Sequence, residues 1–118
     1  MDIVIITGLT IDTVIGVYDW ERQVRQQVVL DLEMAMDNTR AANTDAVADA
    51  LDYAAVSSRL EAFIGGADFQ LLETLAESAC ELVRSEFRVP WVRLRVSKPG
   101  AVPAARAVGV LIERGERS

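Results

Sequence analysis

One lysine stands alone among the basic residues of this 118-residue chain. Lysine and arginine together number 12, and every one of them except Lys98 is an arginine. Arginine stays protonated near neutral pH, whereas a lysine amine can release and take back a proton once its surroundings lower its pKa. The ordinary explanation for a single lysine is a solvated surface charge. The alternative is proton transfer by Lys98, which precedes Pro99 and Gly100, a turn signal that could aim the amine into a cleft.

Histidine is absent from the sequence, and this restricts the chemistry available to the chain. Neither a His-based zinc site nor a histidine-activated nucleophile can be built, and one cysteine cannot replace them. Proton transfers must therefore use Lys, Glu, Asp, Tyr or Cys. The single cysteine, Cys80, permits no internal disulfide. Because it lies beside an apolar helix stripe with no basic neighbour in sequence, it is predicted to be a buried structural thiol.

The composition predicts one folded domain over residues 1–118. Apolar residues make up 51% of the chain, and its length allows a sizeable core. The net charge of −6 disfavours nucleic acid and anionic membranes as partners. The stretch MDIVIITGLTI is apolar but short, and no basic residue precedes it, so we expect neither a signal peptide nor a membrane-spanning helix. Together these features predict a cytoplasmic protein.

Hydrophobic periodicity predicts strands at both ends of the sequence and helices between them. The clearest strand signal is strict alternation over residues 28–36, with one apolar and one polar face. Asp52 and Asp68 are predicted N-caps of two helices, the first beginning near Tyr53. The other predicted elements are a strand over 2–17 broken at Gly8 and Gly16, loops at 18–26 and 37–45, a helical turn at 46–50, and strands at 91–97 and 108–114.

Each predicted helix has an apolar stripe at three- and four-residue steps. The first stops at Gly65 and Gly66, and the second ends before Pro90. The order ββααββ indicates an α+β domain, with an antiparallel sheet and both helices on one face. About four strands leave two open edges, which favours an oligomer. The stripes are Tyr53, Val56, Leu60, Phe63 and Ile64, followed by Leu72, Leu75, Ala76, Ala79, Leu82 and Val83.

Five short segments, in order along the whole chain, resemble those of the dihydroneopterin aldolases of folate biosynthesis. They are IGVYDWE (15–21), ALDYAAV (50–56), LLETLAE (71–77), SKPGAV (97–102) and VGVLIER (108–114). The resemblance implies the tunnelling fold. In that family four subunits join their sheets into a sixteen-stranded barrel around a tunnel, and two such rings usually stack into an octamer. Polar strand residues could line the tunnel, namely Asp31, Glu33, Arg93 and Arg95.

The resemblance also implies a reaction that uses neither a metal nor a cofactor. 7,8-Dihydroneopterin undergoes retro-aldol cleavage to 6-hydroxymethyl-7,8-dihydropterin and glycolaldehyde. The C6=N5 imine of the dihydropterin accepts the electrons of the broken bond, so a lysine can serve as a general acid/base without forming a Schiff base. Re-addition of glycolaldehyde to the other face would epimerise C2′.

The family motifs assign roles to five residues. Lys98 transfers a proton at the 2′-hydroxyl, for which its pKa should fall through partial burial or cationic neighbours. Glu21 bonds the substrate side chain or the catalytic water. Tyr53 acts from a neighbouring subunit. The Glu73 carboxylate accepts hydrogen bonds from the pterin N3–H and 2-amino group, and Leu72 contributes its backbone. Trp20 and Trp91 are predicted to be core or interface residues.

Two other functions are compatible with the sequence. A dedicated epimerase acting on dihydroneopterin or its triphosphate is a close relative, but a triphosphate would require cationic residues beyond the single lysine. A non-catalytic, sheet-forming oligomer is the other alternative, in which the motif residues serve only packing and solubility.

Overall fold

A four-stranded antiparallel sheet is the frame of the domain, in the strand order β1-β2-β3-β4. The computed structural model describes residues 1–117. The chain therefore folds as α+β, and adjacent strands are antiparallel throughout. The strands are β1 (Asp2–Thr13), β2 (Gln26–Met36), β3 (Trp91–Pro99) and β4 (Ala107–Gly115).

Two long helices cover one face of this sheet and bury its apolar side chains. They are α2 (Tyr53–Gly65), which contacts β1, and α3 (Leu72–Glu86), which contacts β3 and β4. Asp52 caps α2, since its carboxylate accepts a hydrogen bond from the Ala55 N–H at 3.0 Å. This N-cap was predicted, and the structure confirms it.

Period-two alternation separates the two faces of the sheet, as predicted. The apolar row of β2 is buried against the helices and the polar residues of β2 and β3 lie on the opposite face, where Glu33 and Arg93 approach to 3.8 Å. Cys80 is also buried in the core, as predicted. The β2 row consists of Val28, Leu30, Leu32 and Met34, and the polar residues opposite are Asp31, Glu33, Arg93 and Arg95.

The first strand differs from its prediction because Gly8 forms a bulge instead of a turn. The strand stays continuous to Thr13, and its register with β2 shifts between Ile6 and Leu9. Gly8 has φ +72°, and its N–H donates to Asp31 at 2.8 Å. A glycine within a strand pattern is compatible with either a turn or a bulge, and here the paired β2 residue holds the bulge in place.

Three helical predictions require correction. Residues 37–45, predicted as a loop, contain the short helix α1 (Thr39–Thr44), which is too short to show an apolar period. It makes the element order differ from ββααββ, and the predicted turn at 46–50 follows it as a 3₁₀ helix (Val47–Asp49). Asp68 does not cap α3, because the N-cap is Leu71. Tyr53 does not join the buried stripe of α2, since it is 63% exposed.

The remaining corrections concern exposure and loops. Trp91 is buried, whereas Trp20 is 60% exposed and lies in a 3₁₀ helix (Asp19–Gln23) within the predicted loop. An interface role for Trp20 therefore stays a prediction. Among residues 1–117, no helix has the length and apolarity that crossing a membrane requires.

Candidate active site

Glu21 and Lys98 form a buried ion pair although 77 positions separate them in sequence. The Lys98 Nζ lies 2.5 Å from Glu21 Oε2. The two residues are only 5% and 9% exposed, and they are two of the three buried polar residues among the described residues. A buried pair of this kind is poor evidence for stability alone, because desolvation opposes the attraction between the charges. It is therefore a candidate for chemistry.

The sheet places Lys98 by extending an apolar row. Lys98 has the same parity along β3 as Val92, Leu94 and Val96, so its side chain lies on the helix-covered face. The strand ends one residue later at Pro99, in agreement with the predicted turn. The aliphatic part of a lysine side chain can continue such a row while its amine reaches the end of the core. Alternation therefore positions the amine at the rim of the apolar layer.

Three groups position the carboxylate of Glu21. Gln26 Nε2 donates to Glu21 Oε2 and to the Ile15 carbonyl, both at 3.0 Å, and the Tyr18 N–H donates to Oε1 at 3.3 Å. Gly16 supplies the space, because a Cβ at that position would lie 2.2 Å from Glu21 Cδ. Gly16 also has φ +127°, which glycine tolerates best. The loop is thus folded around the carboxylate.

These contacts keep Glu21 ionised over nearly the whole pH range. Its pKa is lowered from 4.5 to about 2, mainly by the hydrogen bond from Lys98 and then by that from Gln26, while burial acts in the opposite direction. The neighbour that the structure places on the Lys98 amine is thus an anion. Of the two environments expected for Lys98, partial burial or cationic neighbours, the structure shows burial, and the charged group beside the amine is an anion.

Acid should remove the stabilisation that Glu21 provides. Because its folded pKa is depressed, the carboxylate contributes stability above pH 4.5, and this is lost as the pH falls toward 2. We expect Glu21→Gln to be less stable than wild type at pH 7 and the difference to shrink steadily below pH 4.5. Urea unfolding of both proteins across this range measures the difference. A gap that stays constant down to pH 2 would contradict the depressed pKa.

Glu73 and Leu72 lie at the same end of the molecule as this pair. Both belong to the first turn of α3, where Glu73 is exposed and Leu72 is half-buried. The connection runs through Arg22, whose guanidinium donates to the carbonyls of Gly16 and Phe69 at 2.9 and 3.1 Å. The loop that carries Glu21 is therefore tied to the segment preceding α3. The free N–H groups of this first turn and the Glu73 carboxylate offer both donors and an acceptor to a polar ring.

Tyr53, in contrast, lies far from Lys98 within one chain. It lines a cavity of about 530 Å³ together with Val4 and Leu51. Val4 pairs with Met34 of β2, which pairs with Val92 of β3. Lys98 follows Val92 by six residues along β3, a span of roughly 20 Å at about 3.3 Å per residue. A single chain thus holds the two halves of the predicted site at opposite ends of its sheet.

The prediction missed three positioning residues. Gln26 had a usable signal, since it extends the apolar row of β2 with a polar side chain, as Lys98 does on β3. Gly16 was identified only as a break in a strand. Arg22 had no signal, because it binds backbone carbonyls, which every residue has.

Other reactive groups do not form a second catalytic cluster in the part of the chain that the structure describes. Within residues 1–117, no three His, Cys, Asp or Glu side chains are grouped to hold a metal ion. Burial raises the pKa of the Cys80 thiol from 9.0 to about 11, which keeps it protonated near neutrality. Lys98 and Glu21 remain the groups best placed for proton transfer.

Comparison with known proteins gives consistent matches over nearly the whole chain. Residues 4–113 match the model of the family described as "FolB: Dihydroneopterin aldolase". The dihydroneopterin aldolase of Escherichia coli is 51% identical over 98% of this chain and 94% of its own length. That of Haemophilus influenzae is 45% identical over 98% of both chains. A crystal structure of the E. coli aldolase in complex with neopterin superposes with a TM-score of 0.95, at 51% identity, covering 98% of this chain and all of that one.

Proposed function

This chain belongs to the dihydroneopterin aldolase family and has the aldolase function of that family, and we propose that it acts by general acid/base catalysis without a Schiff base, a metal or a cofactor. The substrate is 7,8-dihydroneopterin, and the products are 6-hydroxymethyl-7,8-dihydropterin and glycolaldehyde. The observation that carries the mechanism is the buried Lys98–Glu21 pair. In this pair the Nζ of the only lysine in the sequence lies 2.5 Å from a carboxylate oxygen of Glu21. We also propose that the protein is cytoplasmic, as expected from the sequence.

In the proposed reaction the Lys98 ammonium first releases its proton to solvent as the substrate enters. The neutral amine then takes the proton of the 2′-hydroxyl, through a water. The C1′–C2′ bond then breaks, its electrons pass to the C6=N5 imine, and glycolaldehyde leaves. Protonation at C1′ completes the hydroxymethyl product. Glu21 accepts a hydrogen bond from the Lys98 amine, and a substrate hydroxyl would take the place of one of the hydrogen bonds to the Glu21 carboxylate. Re-addition of C1′ to the opposite face of the glycolaldehyde carbonyl before release would give the C2′ epimer.

We assign pterin recognition to the first turn of α3. The Glu73 carboxylate is exposed at the end of the molecule that carries Lys98, so it is free to accept the two parallel N–H donors of the pterin. Leu72 would add its backbone groups, because its side chain offers no polar atom. Pterin recognition is thus assigned to α3, and proton transfer is assigned to Lys98 at the end of β3.

The complete site is proposed to lie between subunits. Tyr53 is exposed and distant from Lys98 in its own chain, whereas an adjacent copy could bring its own Tyr53 to the pair. The open edges of β1 and β4 allow four sheets to join into a sixteen-stranded barrel, and two such rings would form an octamer. The polar open face would then line the tunnel.

The direct experiment is incubation with 7,8-dihydroneopterin and an assay for released glycolaldehyde. The assay compares untreated protein with protein that has been chelated exhaustively, since the proposed chemistry requires no metal. We expect an unchanged rate after chelation. Loss of activity that zinc restores would contradict the metal-free mechanism, and no glycolaldehyde from either sample would contradict the proposed reaction.

Replacement of Glu73 by glutamine should weaken pterin binding more than it weakens the fold. The amide keeps the size of the side chain but loses the charge and places a donor opposite the donors of the pterin. The expected loss is on the order of 1.5–3 kcal/mol in binding, the scale of hydrogen bonds to charged groups. Calorimetric titration with a pterin product analogue measures it, and unfolding of both proteins controls for stability. Unchanged affinity would remove Glu73 from the site.

A further inference from the structure

Arg22 connects the two segments to which the proposed function assigns different tasks. Its guanidinium donates to the carbonyl of Gly16 at 2.9 Å, in the loop that carries Glu21. It also donates to the carbonyls of Phe69 at 3.1 Å and Asp68 at 2.5 Å, in the segment that precedes α3. The Asp68 carboxylate lies 3.9 Å from the same group. One side chain therefore crosslinks two loops through three backbone oxygens.

The Gly16 end of this crosslink lies directly against the catalytic carboxylate. Because Gly16 has no Cβ, the Glu21 carboxylate packs directly against its backbone. Any movement of the Gly16 peptide would therefore move the carboxylate or open a gap beside it. At the other end, Phe69 precedes Leu72 and Glu73 by only a few residues. The guanidinium is planar and rigid, and its donors point in fixed directions. It therefore sets the spacing of the two loops as well as holding them together.

We propose that Arg22 is a positioning residue that fixes the distance and orientation between the proton-transfer pair, Glu21 and Lys98, and the pterin-binding first turn of α3. This inference rests on the proposed function, in which α3 holds the ring and the pair acts on the side chain of the same substrate molecule. The reacting C1′–C2′ bond lies between these two anchors. A shift of one anchor against the other would leave the ring bound and the hydroxyl out of reach of the amine.

The test compares Arg22→Gln with Arg25→Gln. Arg25 is a matched control, because its guanidinium also joins two segments through backbone carbonyls, those of Asp12 at 2.6 Å and Gly65 at 2.9 Å. Neither carbonyl lies beside Glu21 or in the segment that precedes α3. We expect Arg22→Gln to lower kcat about tenfold or more, since small misplacements of reacting groups are costly. Its affinity for a pterin product analogue should change by less than about twofold, because Glu73 is intact. Arg25→Gln should retain kcat within about twofold.

Arg22→Lys gives a second, milder perturbation. It keeps the charge, but one ammonium cannot span both loops with the geometry of the fork, so its kcat should fall between wild type and Arg22→Gln. This variant also carries the comparison if Arg22→Gln does not fold. Hydrogen–deuterium exchange of residues 17–23 supplies a readout independent of turnover, and exchange there should be faster in the Arg22 variants than in Arg25→Gln.

Three results from kinetics or binding would overturn the proposal. They are wild-type kcat in the Arg22 variants, an equal loss of kcat in Arg25→Gln, and a loss confined to pterin affinity. Unchanged exchange over residues 17–23 in the Arg22 variants would overturn it as well. Failure of the proposed function itself is distinguishable, because the wild-type protein would then release no glycolaldehyde, while the exchange measurement would still test the crosslink.

Discussion

Replacement of Lys98 by arginine is expected to abolish most of the turnover although the positive charge is retained. A general acid/base group contributes about 10²–10⁴-fold to a rate, so kcat should fall by roughly that factor. Arginine can still pair with the Glu21 carboxylate, even through two hydrogen bonds, so the ion pair survives in some form. What arginine cannot do is release its proton near neutral pH.

One further substitution separates proton transfer from charge and from size. Lys98→Met keeps an unbranched side chain in the buried row of β3 but carries neither charge nor exchangeable proton. If Lys98 transfers a proton, the Arg and Met variants should be impaired to a similar degree. If Lys98 only supplies charge, the Arg variant should keep a substantial fraction of the activity and the Met variant should not.

A reciprocal substitution on the same strand is the control. Arg95→Lys alters a basic residue three positions earlier, on the polar face opposite the helices, and should leave kcat unchanged. Binding of a pterin product analogue should persist in all three variants, since Glu73 lies on α3. Borohydride treatment of the wild type with substrate should trap no adduct. A fully active Lys98→Arg protein would refute proton transfer by Lys98, and a trapped adduct would replace it with a Schiff-base mechanism.

Period-two alternation explains how far the sequence could predict this site. It identifies β2 and β3, separates their apolar from their polar faces, and, continued by one more step, places Lys98 on the buried side. The contact of Lys98 with Glu21 has no such signal. It depends on the path of the loop after β1, on the space that Gly16 leaves and on the hydrogen bonds of Gln26, none of which follows from a repeating pattern. Recognition of Glu21 came from the family resemblance alone.

Local patterns also limited the prediction of the elements around the site. Asp52 caps α2 as predicted because an aspartate before an apolar period is a strong helix start. The same reasoning fails at Asp68, whose carboxylate faces Arg22 while α3 begins later. Tyr53 has the spacing of a buried residue but begins its helix beyond the edge of the core. Its exposure fits the proposal that Tyr53 acts at the site of a neighbouring subunit.

Subunit complementation should test directly whether Tyr53 of one chain completes the site of its neighbour. Tyr53→Phe and Lys98→Ala chains are each expected to assemble into nearly inactive oligomers. After dissociation and random reassembly, about a quarter of the sites should combine an intact Lys98 from one chain with an intact Tyr53 from its neighbour, as long as each site joins two chains. Activity should therefore rise from about 1% or less to about a quarter of wild type. Glycolaldehyde release measures the recovery, and native mass spectrometry verifies that hybrids form.

The structure also supplies a pair that should not complement. Glu21 and Lys98 contact each other within one chain, so mixing Glu21→Ala with Lys98→Ala restores no site that contains both residues. Mixing Glu21→Ala with Tyr53→Phe should restore activity as the first mixture does. This pattern of two positive mixtures and one negative follows from the roughly 20 Å between Tyr53 and Lys98 along the sheet. Verified hybrids without recovery in either positive mixture would place the whole site within a single chain.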